Sequence, residues 1–302
     1  MTRKPVSNIA ASIRQRLLNH AHGSGRPFNE VLQYYALERF LYRLAESSEG
    51  ELFVLKGAMM LRARNAPDAR PTMDIDLLGM TPNDTASLLA RFEAVLRLAV
   101  LDDGLHFDPS TLRSEGITKE MGYDGVRLRF QGVLDTARVS LQVDIGFGDI
   151  VYPPPERHTM PTVLDQPAPD LLCYSLESAI AEKLEAAVKL GQLNSRIKDF
   201  YDIWLLSSNF DFRGDELAEA IRRTFQNRKT ALERDLEAFG SEFCMAKSQQ
   251  WTAFKRRLHD PNVPERLEDA MGLNERFLGP VLDGLLGDMP MPLVWRASGP
   301  WI

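Results

Sequence analysis

The stretch FVLKGAMMLRARNAPDARPTMDIDLLG, Phe53 to Gly79, decides how this chain is read. It opens on the apolar run Phe53-Val54-Leu55 and breaks at Lys56-Gly57. A basic, proline-containing loop follows, and the stretch closes on Asp74-Ile75-Asp76. The pattern predicts a short strand over Phe53–Leu55, a helix over Gly57–Ala63 and a strand over Met73–Leu78. Side chains two apart on a strand face the same way, at about 3.3 Å rise per residue, so the Cα atoms of Asp74 and Asp76 lie about 6–7 Å apart on one face. A D-x-D pair is common in surface turns and helix caps. Here Met73, Ile75, Leu77 and Leu78 flank it, so the strand reads as buried, and two carboxylates within it call for a chemical reason.

Metal chemistry supplies one. Two carboxylates on one strand face can share a site for one or two Mg2+ ions, which bind through carboxylates together with substrate phosphates. Two neighbouring features agree. Lys56-Gly57 stands where a strand meets a helix, a place where backbone amides can cradle phosphate. Asp144, in SLQVDIGFGD, ends a second apolar strand and is the candidate third carboxylate. Two acids on one strand and one on a neighbour suit two-metal phosphoryl or nucleotidyl transfer. With Arg70 and Thr72 just ahead of the acids, Lys56 and Gly57 make a candidate nucleotide-binding set.

Outward from this stretch, helical periodicity marks residues 6–21 and 28–48, separated by Gly23, Ser24, Gly25 and Pro27. In TPNDTASLLARFEAVLRLAV, Thr81 is the expected N-cap, with Pro82 at the first helical position. Alternation in DGVRLRFQGVLDTARVSLQVDIGFGD predicts two antiparallel strands around a turn near Gly132–Thr136. The segment YPPPERHTMPTVLDQPAPDLL holds six prolines and reads as an extended domain junction. Helical signals follow over Leu176–Leu190, Lys198–Ser207, Asp215–Phe225 and on to about Leu286. The expectation is a bilobed protein: an α/β (α+β) domain with a small mixed sheet over 1–160, and a mainly helical domain over 161–302.

The sequence now resembles a known family. VLKGAMML followed by RPTMDIDLL resembles the core motif of the DNA polymerase beta-like nucleotidyltransferases: strand, small-residue turn, helix, acid-x-acid strand. More narrowly the chain is similar to the AbiEii-type toxins, which also carry a helical EKL motif and a later D..D motif. Here these are AEKLEAAVKLG, with Glu182, Lys183 and Ala186, and RIKDFYDIW, with Lys198, Asp199 and Asp202. The ordered motifs span about residues 10–210. The resemblance implies an enzyme that moves NMP from an NTP to an acceptor hydroxyl and releases pyrophosphate. Asp74 and Asp76 would be metal ligands with Asp144. Lys183 would neutralise the triphosphate, and Asp202 would be the better functional candidate of the later acid pair. It further implies a toxin of a type IV toxin–antitoxin or phage-defence system, with a tRNA 3′ end among its acceptors and a winged-helix antitoxin as partner. Transfer to a protein or small molecule, or nucleotide binding without turnover, are the alternative readings.

Composition bounds the rest. A net charge of −6 means that any nucleic acid must be held by local basic patches. The candidates are Arg3, Lys4, Arg14, Arg16 and Arg26, then Arg222 to Arg234, then Lys255-Arg256-Arg257. Cys173 and Cys244 form no ligand cluster, which disfavours a zinc site or a disulfide framework. The opening MTRKPVSNIAASIRQRLLNHA lacks the apolar core of a signal peptide, and no run is long enough to span a membrane, so a cytoplasmic protein is expected. Gly146 and Gly148 lack the third glycine of a dinucleotide fingerprint, and the five histidines show no metal-ligand spacing.

Overall fold

In the computed structural model, residues 8–66, 71–118, 124–234, 236–258, 260–287 and 289–302 are described. They divide into two units. One contains residues 8–65, 71–148 and 156–173; the other contains 66, 149–155 and the described residues from 174 onward. The boundary expected near 160 therefore falls inside the first unit. The proline-rich segment supplies that unit with two strands, Glu156–Thr159 and Asp170–Cys173. Proline lacks an amide donor, and neither strand contains one, so the prolines sit in the connections where no ladder bond is lost.

The first unit begins with helices α1 (Ile9–Ser24) and α2 (Phe28–Glu46). Gly25 ends α1 at φ +67°, a left-handed cap that glycine adopts without a Cβ penalty. Next come β1 (Phe53–Lys56), α3 (Gly57–Ala63) and β2 (Asp74–Gly79), close to the expected strand–helix–strand. Helix α4 (Thr85–Arg97) starts later than expected. Its N-cap is Asp84, whose carboxylate accepts from the Ser87 amide, so Thr81 and Pro82 lie in the preceding turn. An aspartate caps as well as a threonine, and its charge also meets the positive helix end. Strands β3 (Leu105–Thr118), β4 (Asp124–Leu134) and β5 (Ala137–Phe147) follow, then β6 (Glu156–Thr159) and β7 (Asp170–Cys173).

The seven strands form one mixed sheet in the order β3-β4-β5-β2-β1-β7-β6. β2 runs parallel to β5 and antiparallel to β1. Phe40, Phe53, Phe92, Phe107 and Phe130 make a contiguous aromatic core, with ring centroids 5.1–6.1 Å apart. Such pairs each add about 0.5–1.5 kcal/mol beyond the area they bury. Helix α2 is buried along most of its length, charges included. Arg43 forms a two-pronged pair with Asp103, at 2.7 and 3.0 Å. Glu38 accepts from Arg39 and from the Val163 amide, and Arg39 donates to the Pro167 carbonyl, which fastens the 163–167 segment to the helix.

The second unit is mainly helical, with α5 (Leu176–Leu190), α6 (Ile197–Asn209), α7 (Gly214–Arg228), α8 (Ser241–Lys255) and α9 (Leu267–Leu286). A two-stranded ladder, β8 (Phe212–Arg213) with β9 (Val294–Trp295), brings Trp295 and Trp301 onto Phe277. Among the described residues no helix is long and apolar enough to cross a membrane.

The cap assignment is testable. Asp84→Ala should destabilise the protein by about 1 kcal/mol, whereas Thr81→Ala should stay within about 0.5 kcal/mol of wild type. Urea unfolding of both variants checks this, and the reverse order of effects would return the cap to Thr81.

Candidate active site

Register brings the acids of the first unit together. On β2, Asp74 and Asp76 point to one face of the sheet, partly exposed, while Ile75 and Leu77 point to the other and are buried. Met73, expected as part of the apolar frame, is 62% exposed. Across the parallel β2–β5 pair, Asp74 stands opposite Gln142 and Asp76 opposite Asp144. Across β1–β2, Lys56 stands opposite Asp76, and across β4–β5, Arg127 stands opposite Asp144. One transverse row therefore reads Lys56, Asp76, Asp144, Arg127, and continues to Glu115 on β3. Directly opposed side chains share a face, so all five belong to the same surface of the sheet.

Each acid has a defined support. The Thr72 hydroxyl lies 2.5 Å from Asp74 Oδ1, and the Thr72 amide donates to the Tyr34 hydroxyl at 3.2 Å. Helix α2 thereby holds Asp74 through Thr72; burial raises the Tyr34 pKa above its ordinary value. Gln33, also on α2, donates to the carbonyls of Met73 and Ser140, tying β2 and β5 to the helix. Gly57 sits at φ +67°, and a Cβ there would lie 2.2 Å from Asp76 Oδ2. Both the backbone angle and the approach of the carboxylate demand glycine at this turn. Arg70 lies outside the described residues.

Asp144 is held differently. Arg127 donates through Nε to Asp144 Oδ1 at 2.8 Å and through Nη2 to Oδ2 at 2.7 Å. These hydrogen bonds lift the Arg127 pKa further above its ordinary value. Gln142 Nε2 adds a 3.4 Å contact to Oδ2. Among the described residues no group of three or more His, Cys, Asp or Glu side chains is arranged to hold a metal ion.

In the second unit, Lys183 on α5 meets both acids of α6. Its ammonium lies 2.7 Å from Asp202 Oδ2 and 3.1 Å from Asp199 Oδ1. Asp202 is wholly buried, Asp199 nearly so, and Arg196 adds a 2.7 Å contact to Asp199. The i, i+3 spacing on α6 sets both carboxylates on the face that α5 covers.

The basic stretch Arg222 to Arg234 is engaged with acids. Arg222 and Arg223 both pair with Glu219, and Arg234 pairs with Asp283. Arg228 is buried among Asp149, Glu182 and Glu185, at 2.8, 3.3 and 3.0 Å. Of the other basic residues, Arg16 pairs with Asp165 and Lys255 with Glu265, while Arg3 and Lys4 lie outside the described residues.

A family model described as the nucleotidyl transferase AbiEii toxin, type IV toxin–antitoxin system, matches residues 39–272. The chain belongs to this AbiEii family. It is accordingly a nucleotidyltransferase, and the matched span includes both the carboxylate row and the Lys183 cluster. Two solved structures are similar at low identity. One is described as a "putative nucleotidyltransferase" from H. pylori: 14% identical, TM-score 0.45, covering 93% of this chain and 99% of that one. The other is JHP933 from Helicobacter pylori: 16% identical, TM-score 0.48, covering 85% of this chain and 94% of that one. No curated protein matches the chain.

A place at the triphosphate, which the resemblance implies for Lys183 of this AbiEii member, would make its loss fall on activity rather than on stability. Its geometry predicts otherwise. Removing the cation leaves two buried carboxylates without their shared partner, and breaking such a pair from one side typically costs about 3–5 kcal/mol. Lys183→Met should therefore lower the unfolding free energy by that order in a denaturant titration. An unchanged midpoint would show that the buried acids do not depend on Lys183.

Proposed function

We propose that the chain catalyses Mg2+-dependent transfer of NMP from an NTP to an acceptor hydroxyl, with Asp74 and Asp76 as the metal carboxylates. The observation that carries this reading is the placement of the two acids on one sheet face, with the glycine turn pressed against Asp76. The donors are carboxylate oxygens, which suit a hard dication, and the bare Cα of Gly57 leaves open the space beside Asp76 Oδ2 that a Cβ would fill. When bound, the ion neutralises phosphate charge and polarises the reacting phosphoryl group. Thr72 orients Asp74, and Lys56, in register with Asp76, adds a positive charge where phosphates approach. The acceptor oxygen forms a bond to the α-phosphorus as the bond to the β-phosphate oxygen breaks. Pyrophosphate leaves, and the acceptor's proton passes to a base. A two-ion arrangement would require Asp144 as well, whose two oxygens accept from Arg127.

For Lys183, the geometry of the helical unit supports a positioning role shared with Asp199 and Asp202 more directly than a contact with triphosphate. For the acceptor, the family supports a toxin, and we propose an RNA 3′ end as its target, with tRNA the first to be tried. Arg222 and Arg223 share Glu219 and Arg228 is buried among three acids, so the 222–234 stretch supports an RNA contact less strongly than its charge count does.

The test uses each of the four NTPs, labelled on the α- or the γ-phosphate, with Mg2+ and total cellular RNA and protein. The reading expects α-label alone to enter the acceptor, and the Asp74→Asn, Asp76→Asn double variant to lose transfer while melting like wild type. Transfer of γ-label, or wild-type turnover by the double variant, would refute it.

A further inference from the structure

Asp144 stands beside Asp76 in the carboxylate row, yet both of its oxygens accept from a single guanidinium. The pair is two-pronged and partly desolvated: the Arg127 side chain is 27% exposed and that of Asp144 14%. Charge-assisted pairs of this kind combine short contacts with strict geometry, so they fix the carboxylate in one orientation. Arg127 is itself held from its far side by Glu115, at 3.4 Å, and Glu115 also takes Arg129, at 3.0 Å. The guanidinium is thus tethered to Glu115 on the edge strand β3 and turned toward Asp144.

We infer that Arg127 is a positioning residue that keeps Asp144 out of metal coordination until an anion takes the guanidinium. The resting site then offers a dication two carboxylates, Asp74 and Asp76, and gains a third when Arg127 is drawn away. A phosphate group presents the same paired oxygens to the guanidinium fork as a carboxylate does, so the phosphates of an incoming nucleotide are the natural competitor. This arrangement couples nucleotide arrival to completion of the acid set, and it explains how two carboxylates abreast are tolerated in the sheet. The inference rests on the reading of Asp74 and Asp76 as metal ligands, and the experiment separates the two.

The probe is Mn2+ alone, a hard oxygen-seeking dication, titrated into the nucleotide-free full-length protein and followed by its electron paramagnetic resonance signal. Because dication affinity follows the number of charged ligands, Arg127→Gln should tighten Mn2+ binding by on the order of tenfold. Arg127→Lys keeps the charge and loses the fork, and should give a smaller gain. Arg129→Gln removes the same charge from the same strand face without releasing Asp144, and should leave the affinity within about twofold of wild type. Adding Asp144→Asn to Arg127→Gln should erase the gain, which identifies the released carboxylate as its source. Equal tightening by Arg127→Gln and Arg129→Gln would reduce the effect to a general field and overturn the inference. So would an Arg127→Gln affinity equal to wild type. Undiminished binding by the Asp74→Asn, Asp76→Asn variant would overturn the metal reading itself, and the inference with it.

Discussion

Two carboxylates abreast on neighbouring parallel strands repel each other, and the first unit is arranged around that repulsion. Asp76 and Asp144 are direct partners across β2 and β5, a placement that destabilises a sheet unless other charges intervene. Lys56 flanks the pair on one side and Arg127 on the other, so the row alternates outward from its acidic centre. Gly57 presses backbone against Asp76, and α2 secures Asp74 through Tyr34 and Thr72. The buried charges of α2 fit the same logic. A helix that must anchor β2, β5 and the 163–167 segment by hydrogen bonds cannot be wholly apolar, and each of its buried ionic groups has a partner.

A site of this kind asks for stiffness beneath and adjustability above. The aromatic core and α2 provide the first. The second lies in ion pairs that a charged ligand can exchange, because a guanidinium on a carboxylate and a guanidinium on a phosphate are close in geometry and energy. The Lys183 cluster of the helical unit differs in kind. Its two carboxylates are buried to a degree that the Asp144 side chain is not, so losing the cation there acts first on stability.

Much of this was legible in the sequence, and what was missed has definite physical causes. The strand–helix–strand around Lys56-Gly57 and Asp74-Ile75-Asp76 could be read because apolar runs, a glycine break and period-two spacing act locally. The long strand β3 escaped notice because Pro109 and the register shift between Asp108 and Arg113 interrupt its alternation. The strands at 156–159 and 170–173 were hidden because prolines between them imitate a linker. Arg127 could have been found. Once the β4–β5 turn is confined to Asp135-Thr136, with Asp135 at φ +55°, Leu134 pairs with Ala137 and counting back sets Arg127 opposite Asp144. The turn read more broadly, near Gly132–Thr136, left that register open. The pairing of Asp76 with Asp144 is non-local, and no turn fixes it. The pairing of Arg222, Arg223 and Arg228 with acids likewise depended on neighbours that a basic stretch alone does not reveal.

The account stands on Asp74 and Asp76 forming a cation site on the face of the sheet. Crystals of the protein soaked in Mn2+ and measured at the manganese absorption edge test this directly. The account predicts an anomalous peak about 2.0–2.2 Å from carboxylate oxygens of both Asp74 and Asp76, the spacing of small hard dications. A peak lying instead on the Asp149–Glu182–Glu185 cluster, with the β2 carboxylates left without metal at saturating Mn2+, would contradict it.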